Sequence, residues 1–336
     1  MRYLLLLLAI CFLSPCAALG TNAGIVSQDT CPSQKRTYEE FLQRIRTGYE
    51  EEVQLAARIG IGMPAVEERL KAVPDRETYE KRLAHTGFEC IKMTYLSDGV
   101  KVIGFILKPV EAGGKRLPAI IYNRGGSREF GKIVPDHLFL SEYEFLAQGF
   151  VIFASQYRGS DGGEGKDEFG GKDLQDVSSL LSLARSLDYV DSRNIFMYGV
   201  SRGGMMTYLA LKNGFSVNAA AVSAGPTDLA ALGRLRPEMA KNYSEMVPDY
   251  KADPVGTMKA RSAMEWPEKI NTPLLLLHGT ADWRVPTDQT LNLAAKLQQL
   301  HRTYALDIFA NDTHGLPMHN EEAHQRIINW FRAHTH

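Results

Sequence analysis

Hydrophobic positions along the chain fall into two alternating rhythms. Short apolar runs at residues 117–123, 150–155, 195–200, 219–223, 273–278 and 304–309 have the length of buried β-strands. Between them lie segments with apolar residues every three or four positions, at residues 142–148, 172–187, 205–212, 287–300 and 321–332. In the second of these Leu174, Val177, Leu180, Leu181 and Ala184 share one side. Upstream, residues 88–95 and 101–108 alternate apolar and polar around Ser97-Asp98-Gly99, a hairpin signal. A hairpin followed by alternating strands and helices predicts an α/β fold, with a mostly parallel sheet flanked by helices.

Two stretches depart from this rhythm. Residues 38–71 carry Phe41, Ile45, Tyr49, Val53 and Ala56 at helical spacing, with Pro64 and Pro74 as punctuation, and predict helices that pack on the domain. Residues 225–266 are polar, hold Pro226, Pro237, Pro248 and Pro254, and predict a partly helical insertion above the sheet. At the N-terminus, Met1-Arg2, an apolar run over residues 4–13 and the small residues Ala17, Ala18 and Gly20 read as a secretory signal peptide. The run is shorter than the roughly 20 residues a membrane span needs. The expected organisation is a signal peptide at 1–20, a helical N-terminal extension at 21–86 and an α/β catalytic domain at 87–336, with the insertion at about 225–266. Secretion or periplasmic export follows; lipid anchoring at Cys16 is the lesser reading, because Pro15 stands where a lipobox wants a small residue.

Export would leave Cys31 and Cys90 in the mature chain, either paired or as two separate thiols, and their spacing does not suggest a zinc site. With 38 Lys and Arg against 39 Asp and Glu, the net charge of −1 gives no general attraction to nucleic acid or acidic membranes.

The chemistry is concentrated in Gly199-Val200-Ser201-Arg202-Gly203, between the strand ending at Val200 and a helix. Strand, Gly-x-Ser-x-Gly, helix is the nucleophile elbow of α/β-hydrolases. A serine hydroxyl is a weak nucleophile at neutral pH and needs a general base, which a carboxylate orients. In this fold the order is Ser, Asp or Glu, His, each following a strand. Asp282, past the strand ending at His278, and His314, past the strand ending at Phe309, meet that order. The rivals are His319, nearer the closing helix; Asp288, which suits a helix start; Asp312, a turn residue; and His278, a structural partner. Two backbone donors must hold the oxyanion. The amide of Arg202 is one, and Gly125 of Arg124-Gly125-Gly126 is the candidate for the other, with Gly126 close behind. No metal or organic cofactor is called for.

Gly199-Val200-Ser201-Arg202-Gly203-Gly204, the upstream residues 188–195, Tyr157-Arg158-Gly159-Ser160, His278-Gly279-Thr280-Ala281-Asp282, Val285-Pro286 and His314-Gly315 together resemble the catalytic domain of the prolyl oligopeptidase family of serine peptidases. The resemblance runs from about Leu117 to the C-terminus and implies an α/β-hydrolase that cleaves a peptide bond through an acyl-enzyme. Members often carry an aromatic residue where this chain has Arg202, a difference expected to bear on substrate contacts. They often carry Tyr or His at the position of Arg124, so no tyrosine hydroxyl supplies the second oxyanion donor here. Peptide-specialised members place a β-propeller ahead of the hydrolase domain, whereas the segment ahead of it here reads as helical and shows no blade repeat. The expected substrates are therefore short peptides or small esters. The esterase is the alternative activity, and an acyltransferase or a non-catalytic binding protein of the same fold are further readings.

Overall fold

The computed structural model describes residues 24–32, 36–58, 60–84, 87–110 and 113–336. The signal peptide expected at 1–20, with Cys16, lies outside them. In chain order, strand β1 (Ile25–Thr30) precedes helices α1 (Tyr38–Arg58), α2 (Val66–Leu70) and α3 (Arg76–Leu83). Then come β2 (Phe88–Ser97), β3 (Val100–Pro109), β4 (Leu117–Asn123), α4 (Pro135–Ser141), α5 (Tyr143–Ala147), β5 (Val151–Ser155), α6 (Leu174–Ser186) and β6 (Val190–Val200). Helix α7 (Arg202–Lys212), β7 (Ala220–Ser223), α8 (Leu229–Leu235), α9 (Met239–Met246) and α10 (Pro254–Ala260) follow. The chain closes with β8 (Leu274–Gly279), α11 (Asp288–Gln299), β9 (Tyr304–Phe309) and α12 (Asn320–Arg332). No helix among the described residues is long and apolar enough to cross a membrane.

The strands form one sheet in the order β1-β2-β3-β5-β4-β6-β7-β8-β9. Pairings are antiparallel from β1 through β3 to β5 and parallel from there on. Because side chains alternate across a strand, neighbouring residues feed opposite layers. Ile121, Phe153, Met197 and Leu276 join the side chains of α6, α7 and α11, while Ile120, Ile152, Phe196 and Leu275 join those of α5 and α12. Phe331 of α12 stacks on Phe196 at 4.6 Å. Each such buried side chain contributes about 1.5–3 kcal/mol.

Three elements differ from the sequence expectation. β1 was not expected, since Ile-Val-Ser-Gln-Asp-Thr is largely exposed and held by backbone pairing to β2 rather than by burial. A disulfide between Cys31 and Cys90, with Cα atoms 5.3 Å apart, secures it. α4, whose Pro135 stands in the first turn, was also missed. β6 begins at Val190 rather than 195, because a register shift against β4 lets its polar first half pair.

Under α12, Glu142 and His324 are buried 3.8 Å apart, and neither Glu142 Oε2 nor His324 Nδ1 has a hydrogen-bond partner among the described residues. Burial pushes the Glu142 carboxyl up to about 8, against a hydrogen bond from Ser141 that opposes the shift. A carboxyl raised in the fold binds protons that the unfolded chain has released, so the stability it permits is full below about pH 4.5 and is lost as pH rises towards 8. Burial, helped by the charge of Arg82, lowers His324 to about 3, which gives an opposite slope below about pH 6.5. Glu142→Gln removes only the first effect. The variant should match wild type near pH 4.5 and be more stable at pH 8 by on the order of a few kcal/mol, seen as a higher melting temperature there.

Candidate active site

Every predicted site residue sits at the carboxyl edge of the parallel strands. Ser201 links β6 to α7 with φ 57° and ψ −126°, a conformation that costs a non-glycine residue on the order of 1–3 kcal/mol and lifts its side chain off the sheet. The turn closes only because its flanks are glycine. A Cβ on Gly199 would lie 2.2 Å from the carbonyl oxygen of Gly203, and one on Gly203 would lie 1.8 Å from that of Asn123.

Asp282 follows β8 and His314 follows β9. His314 Nε2 is 2.8 Å from Ser201 Oγ, and its Nδ1 is 2.8 Å from Asp282 Oδ2. The second carboxylate oxygen, Oδ1, accepts the amides of Arg284 and Val285 at 2.9 and 3.0 Å. His278 Nε2 lies 3.0 Å from Asp282 Oδ2 and 2.8 Å from the carbonyl of Val285. Two acceptors at one ring nitrogen require that Nε2 carry a proton, and Thr290 Oγ1 lies 2.7 Å from Nδ1. His278 is thus a fully buried donor to the carboxylate and does not reach Ser201. Burial alone would raise the Asp282 carboxyl. The charge of His314 and the hydrogen bonds from His278 and His314 overcome this and hold it well below the usual carboxylate range.

The rivals are committed elsewhere. Asp312 accepts the amides of Thr313 and Met318 on one oxygen and the amide and Nδ1 of His319 on the other, so both shape the turn that carries His314. Asp288 opens α11.

For the oxyanion, Arg202 is the first residue of α7, where an amide has no acceptor within the helix. Gly125 comes against the nucleophile: a Cβ built there would be 3.3 Å from Ser201 Cβ and 3.9 Å from Oγ. Gly126, at φ +69°, has Phe130 and Gly131 as its nearest neighbours instead.

The sequence profile of the prolyl oligopeptidase family matches residues 137–336, more than half of the chain. The chain belongs to this family. Membership makes it a serine-peptidase-type hydrolase on an α/β-hydrolase fold. It is 29% identical over 240 residues to the uncharacterized peptidase YtmA of Bacillus subtilis, covering 71% of this chain and 91% of that protein. Acylamino-acid-releasing enzyme 1 of Oryza sativa is 27% identical, over 65% of this chain and 30% of the enzyme. Among solved structures, the acylaminoacyl peptidase of Pyrococcus horikoshii superposes with a TM-score of 0.65 at 22% identity, covering 78% of this chain and 44% of that one. The chain thus spans most of YtmA but less than half of the other two.

The side chains of Arg124 and Arg202 are buried and bonded to protein groups, contrary to the expectation that the Arg202 side chain bears on substrate contacts. Its guanidinium is buried, bidentate to Asp167 at 2.7 Å, 2.5 Å from Asp173 and 3.0 Å from the carbonyl of Gly126. Arg124 is spent on the carbonyls of Gly125, Arg128, Phe130 and Gln156, all within 3.3 Å. The Tyr157 ring lies between them, 5.1 Å from the Arg124 guanidinium and 4.9 Å from that of Arg202. Both cations therefore brace the loop of residues 125–130 through its carbonyls. Burial costs Asp167 its charge less than Arg202 returns, and its carboxyl is held below its ordinary value. Asp167 and Asp173 were missed because nothing in a glycine-rich loop marks which acid folds back on the elbow.

The insertion at 225–266 forms α8 to α10 and touches both sides of the site. Glu245 pairs with Arg128 at 2.9 Å, three residues past Gly125, and the Arg236 guanidinium lies 5.6 Å over Trp283, beside Asp282.

Proposed function

We propose that this protein is an exported serine peptidase acting on short peptides or acylated amino acids through a triad of Ser201, His314 and Asp282. The observation that carries this is the unbroken relay, 2.8 Å from Ser201 Oγ to His314 Nε2 and 2.8 Å from Nδ1 to Asp282 Oδ2. His314 takes the proton from Ser201 as Oγ attacks the scissile carbonyl, and the amides of Arg202 and Gly125 receive the oxyanion. The tetrahedral intermediate collapses as His314 returns the proton to the leaving amine, giving the acyl-enzyme. Water then attacks the ester by the same route, restoring Ser201 and releasing the acid. Asp282 holds His314 in the tautomer whose Nε2 can accept.

Export is supported by the Cys31–Cys90 disulfide, since such bonds persist in oxidising compartments. The insertion, reaching from Arg128 to Trp283, is placed to roof the site and limit substrate size.

Turnover of aminoacyl, dipeptidyl and N-acetylaminoacyl p-nitroanilides should be measured beside that of p-nitrophenyl acetate and butyrate. Steady amide cleavage is expected. Fast ester hydrolysis without measurable amide cleavage would replace the peptidase with the esterase reading.

A further inference from the structure

The N-terminal helices reach the catalytic loops with charge rather than with apolar packing alone. Arg69 of α2 is 1% exposed, and Glu52 of α1 is 9% exposed. Arg69 Nη2 donates to Glu52 Oε2 at 2.6 Å and to Thr313 Oγ1 at 3.0 Å, next to His314. Glu52 Oε1 accepts from Arg284 Nε at 3.0 Å and from Trp283 Nε1 at 3.3 Å, next to Asp282. The Arg284 amide in turn donates to Asp282. A continuous bridge thus runs from Asp282 through Arg284, Glu52, Arg69 and Thr313 to His314, independent of the sheet.

Burying two charges is costly, and a hydrophobic pair would fill this space without that cost. Arg69 also leaves Nε and Nη1 without partners among the described residues, although its guanidinium lies 3.8 Å over the Tyr49 ring. The charge is met by Glu52 and by the Tyr49 ring, and it is Nη2 that joins Glu52 to Thr313. The family profile begins at residue 137, so both residues lie outside the part that defines the family.

We infer that Glu52 and Arg69 are positioning residues, which fix the loops bearing Asp282 and His314 at the separation proton transfer requires. The inference rests on the proposed triad. Neither side chain is exposed to substrate, so their loss is expected to act on the chemical step. A small displacement of reacting groups suffices for about a tenfold fall in rate.

The test compares kcat and KM for p-nitrophenyl butyrate, with thermal unfolding, for wild type, Arg69→Met, Arg69→Lys, Glu52→Gln and Arg76→Ala. Arg69→Met should lose about tenfold in kcat with KM within about twofold. Arg69→Lys should recover to within about twofold, because a single nitrogen makes both bonds and an ammonium can donate both. Arg76→Ala breaks an exposed ion pair with Glu39 in the same segment and should leave kcat unchanged. A kcat for Arg69→Met equal to wild type, failure of lysine to rescue, or an equal loss in Arg76→Ala overturns the inference. Should Arg69→Met not fold, Glu52→Gln carries the same test, with the same fall in kcat supporting the inference and a wild-type kcat overturning it. Full turnover by Ser201→Ala would instead sink the triad, a result separable from an inert Ser201→Ala beside a fully active Arg69→Met.

Discussion

Ser201→Ala is expected to abolish labelling by a fluorophosphonate probe and to lower kcat by about 10⁶-fold, a loss near 8 kcal/mol of transition-state stabilisation. The fold should hardly notice. Alanine has the same Cβ at the same strained φ of 57°, and among the described residues the side-chain bond removed is the one to His314, whose ring is partly exposed. The melting temperature should therefore stay within a few degrees, so lost activity cannot be traced to unfolding. A residual rate is expected from the Arg202 and Gly125 amides, which remain in place. Labelling of the alanine variant at the wild-type rate would show that another residue is the nucleophile.

Asp282→Asn should cost about 10⁴-fold in kcat, for a reason the surroundings make specific. Among the described residues the four contacts to the carboxylate come from donors: two backbone amides on Oδ1, and His278 and His314 on Oδ2. An asparagine has one acceptor oxygen, so its NH₂ must face donors whichever way it turns. If the NH₂ faces the two amides, the Arg284–Val285 turn is disrupted. If it faces His314, the ring must accept at Nδ1 and present Nε2–H to Ser201, which then has no base. Stability should also fall, by about 1–3 kcal/mol for the unmet donors. The carboxyl of Asp282 lies below its ordinary value, so the stability it contributes is present above about pH 4 and is lost as pH falls through its folded value. The gap in melting temperature between wild type and variant should accordingly narrow below about pH 4. A gap that widens in acid would show that Asp282 is not held as the anion.

Much of this site is legible in the sequence because catalysis on this fold ties chemistry to strand ends. Apolar runs locate β6, β8 and β9, and the residues just beyond them are Ser201, Asp282 and His314. The glycines at 199 and 203 are equally readable, since no other residue fits where their Cβ would meet backbone. By contrast, β1 has no apolar signature because its backbone, not its side chains, makes the connection.

The sequence by itself determined the fold class, the order of the candidate catalytic residues and the elbow, because each depends on local periodicity or on residues within one turn. Only the tertiary structure decided what the charged residues do. Arg202 reads as a residue of substrate contacts and Arg124 as a replacement for a tyrosine, until Asp167 and Asp173 meet the first and a set of loop carbonyls the second. Glu52 and Arg69 read as ordinary polar positions on amphipathic helices, yet Arg69 meets Thr313 across 244 residues of chain and Glu52 meets Arg284 across 232. Such pairings depend on where the sheet brings distant loops together, and a charge is indifferent to its sequence neighbours when its partner arrives through space.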